Sequence, residues 1–327
     1  MRQVFILPFS KISKDDVKIA GGKGASLGEM TKAGFLVPPG FVVLATAFER
    51  FLEETDINIE IEAALDKVNY QDINSVDQAS KLIRDVIHDA RMPKDLGKEI
   101  LIAFDKLSAQ GGSATGGKAQ KLFVAVRSSA TAEDSSVASW AGELESYLNT
   151  TWKNLLGRVK NCWSSLFTQR AIFYRNEKGL RKPKVLVAVA VQKMIQSEIA
   201  GICFTTHPVT KDKNQLIIEA GWGLGEAIVG GHITPDSYVV DKRDWKILDT
   251  NISEQEKMLV RKGSSGNIWF NVPNKLKNKQ KLDPRKIIEL SQLCAKIERH
   301  YKFPCDIEWA MEKNKFYIVQ SRPITTL

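Results

Sequence analysis

The final stretch of the chain, Cys305 to Arg322, limits its possible folds more than any other. Cys305-Asp306-Ile307-Glu308-Trp309-Ala310-Met311 and Phe316-Tyr317-Ile318-Val319-Gln320-Ser321-Arg322 both alternate, with a polar break at residues 312–315. Such alternation predicts two strands joined as a hairpin. On the first strand Asp306, Glu308 and Ala310 share one face, and Ile307, Trp309 and Met311 share the other. On the second strand Gln320 and Arg322 share a face. A three-residue loop at Lys313-Asn314-Lys315 would set Glu308 opposite Gln320 and Asp306 opposite Arg322. A two-residue loop would break that register, because a slip of one residue changes faces. One wall would then carry two carboxylates, an amide oxygen and a guanidinium. Hard oxygen donors suit Mg²⁺, and a guanidinium suits phosphate. An edge hairpin whose polar face is simply wet shows the same pattern, so the distinction rests on residues upstream.

With 327 residues there is enough chain for two lobes with sizeable cores. The composition, 43% hydrophobic and 26% charged, is that of a soluble globular protein. The formal net charge of +9 favours anionic partners. Its one dense cluster, residues 275–286, has no interleaved aromatics and reads as a solvated loop, not a nucleic-acid track. Cys162, Cys203, Cys294 and Cys305 form no C-x-x-C pair, which predicts reduced structural thiols and a cytoplasmic setting. The longest apolar run, Val185 to Val191, is too short to cross a bilayer, and the N-terminus lacks signal-peptide architecture. None of the four histidines has a metal-like spacing. No membrane or nucleic-acid partner is expected.

Along the chain, Gly21 to Met30 reads as a glycine-rich turn, with Lys23, running into a helix. Such a turn can bring backbone N–H groups to a phosphate, although a plain glycine-capped turn looks the same. Thr46 is placed at the N-cap of a helix over Ala47–Glu54, and residues 57–107 read as a helical insertion. Gly112-x4-Gly117-Lys118 imitates a phosphate-binding loop, but Ala119 follows the lysine and no strand precedes it. A strand, Leu122–Val126, is expected to deliver Arg127 at its end, followed by the hydroxyl-rich Ser128-Ser129-Ala130-Thr131 as an anion clamp. Trp152 to Tyr174 reads as one helix with Trp163, Leu166, Phe167 and Ala171 on its core stripe. Val185–Val191 is a central strand whose continuation, Gln192-Lys193-Met194, can reach a ligand. A β-rich second lobe begins there, and a long helix from Pro284 to His300 leads into the hairpin.

Five stretches stand in a recognisable order: Gly21-Gly22-Lys23-Gly24-Ala25-Ser26-Leu27-Gly28-Glu29-Met30, Val126-Arg127-Ser128-Ser129-Ala130-Thr131-Ala132-Glu133-Asp134, Gly223-Leu224-Gly225-Glu226, Asp306-Ile307-Glu308-Trp309 and Gln320-Ser321-Arg322-Pro323. In these the chain resembles the N-terminal ATP-binding domain of the phosphoenolpyruvate synthase (pyruvate, water dikinase) family, which includes pyruvate phosphate dikinase and rifampicin phosphotransferase. The resemblance covers essentially the whole chain. It implies an α+β, ATP-grasp fold of two lobes, residues 1–190 and 191–327, with the nucleotide cleft between them. It implies ATP as substrate and Mg²⁺ as cofactor. ATP would be split to AMP and its β-phosphate passed to a histidine of a swivelling domain, then to an acceptor domain for pyruvate.

Carried over by position, Lys23 and Arg127 would hold the phosphates, and Gly142 with Ser146 would lie on the phosphate or adenosine side. Gln192 would contact the nucleotide, with the Lys193-Met194 backbone beside adenine. Glu308 and Gln320 would bind Mg²⁺, Asp306 would be a further ligand or a group supporting one, and Arg322 would stabilise the transferring phosphoryl group. Lys23, Arg127 and Arg322 would thus be the catalytic cations. The loop Ser139-Trp140-Ala141-Gly142-Glu143 departs from the family in Trp140 and Glu143, as does Ser146 where threonine is common. The swivelling domain's Thr-Ser/Cys-His-Ala signature is missing, and Thr206-His207-Pro208 does not replace it. Two other readings remain: the equivalent part of an antibiotic phosphotransferase, and a module that senses ATP without transferring phosphate.

Overall fold

A computed structural model of the chain describes residues 3–110, 122–131, 144–179, 185–263 and 266–325. They divide into two units. One comprises residues up to Lys32 and Pro39–Met194. The other comprises Ala33–Pro38 and residues from Ile195 on.

In the first unit the most apolar strand lies in the middle of the sheet, as its sequence requires. β5 (Val187–Lys193) pairs with β2 (Gly40–Val43) on one side and β3 (Val124–Ala130) on the other. β1 (Ile6–Pro8) and β4 (Ser146–Thr150) form the edges, in the antiparallel order β1-β2-β5-β3-β4. The alternate residues Val187, Val189 and Val191 face a layer of helices: α2 (Ala45–Glu54), α3 (Ile57–Asp66), α4 (Ile73–Asp89), α5 (Lys94–Gln110), α6 (Leu155–Ser164) and α7 (Gln169–Glu177). Trp163 anchors this core between Phe48 and Phe51, with ring centroids 5.3 and 5.0 Å away. Ala188 and Ala190 line the opposite face, and α1 (Val17–Lys32) packs there against β3 and β5. The small side chains allow that close approach.

Several local expectations are corrected. The Trp152–Tyr174 helix is broken, because Thr168 turns to extended backbone and caps α7 by accepting the Ala171 N–H at 3.1 Å. Ser165 donates to the Cys162 carbonyl at 2.7 Å, the kind of local bond that competes with a continuing helix. Leu44, not Thr46, is the N-cap of α2, and the Thr46 hydroxyl is buried without a partner among the described residues. β3 does not stop at Val126. Pairing with β5 continues to Ala130↔Val187, so Arg127, Ser128 and Ser129 lie within the strand.

In the second unit a six-stranded antiparallel sheet has the order β13-β12-β6-β7-β8-β9. Its strands are β6 (Ile199–Phe204), β7 (Gln215–Trp222), β8 (Asp236–Asp241), β9 (Ile247–Asn251), β12 (Cys305–Glu312) and β13 (Lys315–Pro323). The short α8 (Glu226–Val229) and α9 (Asn274–Lys277) flank a separate two-stranded ribbon, β10 (Lys257–Arg261) and β11 (Asn267–Asn271). α10 (Pro284–Tyr301), capped by Asp283, packs on β12, β7 and β8. It buries the face that carries Ile307, Cys203, Ile218 and Tyr238, with Cys294 against Cys203. All four cysteines are buried free thiols. The small segment 33–38 belongs here because the Leu36 carbonyl accepts the Ile318 N–H at 3.0 Å.

The basic cluster at 275–286 is not merely a solvated loop. Lys281 is fully buried, and its ammonium donates to Asp236 at 2.7 Å and to the Ser253 carbonyl at 2.6 Å. Among the described residues no helix is long and apolar enough to cross a membrane.

The hairpin reaches its expected pairs by another route. Lys313 and Asn314 form a two-residue turn, both with positive φ, and Glu312 opposes Lys315. This is the turn that was expected to misalign the strands. A β-bulge restores the register: Trp309 opposes Ile318, Val319 is the extra residue, and Glu308 then opposes Gln320 and Asp306 opposes Arg322.

Candidate functional site

In the first unit the site begins at Gly21. Its φ of 69° and ψ of 171° break α1, so the helix effectively restarts at Gly22. A Cβ at Gly21 would sit 2.2 Å from the Ser129 carbonyl oxygen, so only glycine allows this crossing. The restarted helix needs acceptors for its first N–H groups. One comes from 105 residues away: the Gly24 N–H donates to Ser129 Oγ at 3.1 Å, and Ser129 Oγ donates to the Ala20 carbonyl at 2.9 Å. Lys23, next to Gly24, is thereby fixed near β3, on the sheet face that Ser129 shares with Arg127 two residues earlier.

Arg127 is 8% exposed and opposes Ala190 on β5 and Ser146 on β4. Its Nη1 donates to Gln192 Oε1 at 3.5 Å. Gln192, 2% exposed, leaves its Nε2 without a partner among the described residues. A buried donor left unpaired is costly unless a ligand meets it. At the end of β5 the backbone N–H groups of Lys193 and Met194 are already taken, donating to Pro39 and Phe123 carbonyls at 2.8 and 2.9 Å. Backbone contact with a base there would fall to carbonyl oxygens. The structure thus brings Lys23, Arg127, Gln192 and Ser146 to one face of one sheet. Gly142, and the imitation phosphate loop at Gly112–Lys118, lie outside the described residues.

In the second unit the face of the sheet opposite α10 carries two rows. One runs Gln320, Glu308, Ile202, Glu219 and Ser237 across β13, β12, β6, β7 and β8, and the next runs Arg322, Asp306, Phe204 and Ile217. Arg322 Nε and Nη2 both donate to Asp306 Oδ2, at 2.9 and 2.8 Å. Burial pushes the Asp306 carboxyl up from its ordinary range, the Arg322 guanidinium pulls it back, and Glu308 adds to the rise. Glu308 and Gln320 stand directly opposite each other, one carboxylate and one amide oxygen. Among the described residues no three His, Cys, Asp or Glu side chains gather to hold a metal on their own. One or two oxygen ligands do suit Mg²⁺, which keeps water and phosphate oxygens in its remaining positions. The donor set therefore fits that ion.

Glu219 was not anticipated. It shares the row of Glu308, and burial followed by the nearby Asp306 pushes its carboxyl up. The alternation Gln215-Leu216-Ile217-Ile218-Glu219 already placed it on an outer face. Only the strand order shows whose row it joins. His207 is in neither row, and its Nδ1 accepts the Val209 and Thr210 N–H groups at 3.2 Å each, an ordinary turn cap.

Comparison with known proteins sets this geometry in context. Residues 17–327 match the family described as pyruvate phosphate dikinase, AMP/ATP-binding domain. A probable phosphoenolpyruvate synthase of Methanocaldococcus jannaschii is 45% identical over 324 residues, 99% of this chain and 27% of its own length. That of Archaeoglobus fulgidus is 45% identical over 98% of this chain and 42% of its own. The phosphoenolpyruvate synthase of Pyrococcus furiosus is 40% identical over 99% and 44%. The chain spans less than half the length of each of these relatives.

Proposed function

The chain belongs to the family of the pyruvate phosphate dikinase AMP/ATP-binding domain, and on that premise we propose that it is the ATP-binding, phosphate-donating part of a phosphoenolpyruvate synthase-like dikinase. ATP is converted to AMP, the β-phosphate passes to a histidine on a separate swivelling domain, and the γ-phosphate is released to water as inorganic phosphate. The names borne by its relatives favour this acceptor system over an antibiotic. The work takes place in the cytoplasm.

The observation that carries this reading is the hairpin face, where Glu308 opposes Gln320 and Asp306 opposes Arg322 across the bulge. Glu308 and Gln320 would hold Mg²⁺, which when bound neutralises charge on the phosphate oxygens. Arg322 presents a planar fork whose direction is set by Asp306 before any substrate arrives. A cation fixed in advance suits charge that develops during transfer. In the first unit Lys23 and Arg127 supply cations for the triphosphate, and the Gln192 amide supplies a donor for the adenosine part. A module that only senses ATP needs no such transfer clamp.

Titration calorimetry of the chain with ATP, with and without Mg²⁺, tests the reading. The wild type should bind Mg-ATP more tightly than ATP, and Glu308→Ala should lose most of that difference. An equal Mg²⁺ dependence in both proteins would show that Glu308 is not a ligand.

A further inference from the structure

Among the described residues β4 is an edge strand, paired only with β3. Its ladder is short and interrupted, with a register shift between Val124↔Thr150 and Val126↔Tyr147, beside Asn149 at a φ of 52°. Among the described residues two rungs follow that irregularity, Tyr147 opposite Val126 and Ser146 opposite Arg127, and the Ser128 N–H donates to the Glu145 carbonyl after them. Two rungs at a sheet edge are weak restraints, and local opening begins at such places. Yet Ser146 must keep its place beside Arg127 if both meet one ligand.

The side chains that alternate with Ser146 turn the other way, toward the helices, and there they are held. Arg84 of α4 places its Nη2 at 3.0 and 3.1 Å from the two Glu145 carboxylate oxygens. The Tyr147 hydroxyl donates to the same carboxylate. The Arg158 guanidinium of α6 covers the Tyr147 ring, 4.7 Å from its centroid. The Glu145 carbonyl accepts from the Ser128 N–H at 3.2 Å and the Ser128 hydroxyl at 2.8 Å. Glu145 is thus fixed through both backbone and side chain, one residue from Ser146. Burial, and then Glu145 itself, push the Tyr147 phenol up, so it remains a donor throughout the neutral range.

We infer that Arg84, Glu145 and Tyr147 form a positioning clamp by which the helical layer sets the place of Ser146 beside Arg127, and so the affinity for the triphosphate. The inference rests on the proposed function. The clamp touches no substrate. The Arg84 and Glu145 side chains keep 26% and 33% of their exposure, and an ion pair so accessible adds little to global stability. Its consequence is geometric. Side chains that support a site from behind commonly change its affinity without touching the ligand.

The test measures ATP and adenosine affinities of the whole chain, with thermal midpoints, for wild type, Arg84→Ala, Arg84→Lys and Tyr147→Phe. Arg84→Ala is expected to weaken Mg-ATP binding by about two- to thirty-fold, leave adenosine binding unchanged and barely move the midpoint. Arg84→Lys should restore most of the loss, and Tyr147→Phe should show a smaller loss of the same kind. Unchanged ATP affinity in Arg84→Ala overturns the clamp. So does an equal loss for ATP and adenosine, or a loss that only follows unfolding. A wild type that binds no ATP would instead bring down the proposed function, and the clamp with it.

Discussion

Replacing Ser129 by alanine removes one oxygen and no more, yet it should be among the most damaging small changes in the first unit. Ser129 is 0% exposed. Its hydroxyl accepts the Gly24 N–H at 3.1 Å and donates to the Ala20 carbonyl at 2.9 Å. Alanine removes the one oxygen that pairs both backbone groups, at a position with no exposure. Each orphaned group costs about 1–2 kcal/mol, so the total is about 2–4 kcal/mol. For a unit of this size that lowers the thermal midpoint by about 5–15 °C. The same hydroxyl anchors the turn carrying Lys23, so Mg-ATP affinity should fall even where the protein remains folded. Thermal and urea unfolding of wild type and Ser129→Ala, with calorimetry well below the transition, measure both. An unchanged midpoint with unchanged affinity would refute the anchor, because the restarted helix would then be satisfying its own end.

Three further outcomes are expected. Arg322→Lys keeps the charge but loses the fork, so ATP affinity should stay within a few-fold while single-turnover transfer to a swivelling domain added in trans slows by orders of magnitude. Lys23→Ala should weaken binding first, by about 1–3 kcal/mol; parallel losses of affinity and transfer in Arg322→Lys would make Arg322 an ordinary binding residue. The carboxyl of Glu219 is pushed up by burial and then Asp306, so its contribution to stability is full below the ordinary carboxylate range and is lost as pH rises through the raised value. Glu219→Gln should therefore stabilise the protein against urea at neutral pH and give no gain near about pH 3, below the ordinary range for glutamate; an equal gain at both would exclude ionisation as the cause.

The hairpin shows how far the sequence could be read. Alternation identified both strands and the faces of Asp306, Glu308, Gln320 and Arg322, and the expected pairs form. The turn length was misjudged, because a two-residue turn and a bulge together give the same register as a three-residue loop, and a bulge leaves no mark on alternation. In the first unit Val185–Val191 announced a central strand, which the structure places two residues later, at Val187–Lys193. The length of β3 did not show, since Arg127, Ser128 and Ser129 are poor strand formers by composition. They lie in the strand because β5 pairs with them and Ser165 and Ala20 satisfy their hydroxyls. Lys281 looked like one more solvated lysine, and its burial depends on Asp236, 45 residues away. Long-range partners of this kind, Arg84 with Glu145 among them, are not visible in local pattern.

The six residues 33–38 make the chain's linear order a poor guide to dissecting it. The polypeptide passes between the two units at three points, after Lys32, after Pro38 and after Met194. A gene cut at codon 195 would therefore yield a C-terminal fragment lacking Leu36, with the Ile318 N–H of β13 stripped of its acceptor one residue before the bulge that aligns Gln320. The complementary fragment would carry six residues whose partners had been removed. A faithful isolated second unit would have to be rebuilt, with residues 33–38 grafted ahead of Ile195 through a short linker.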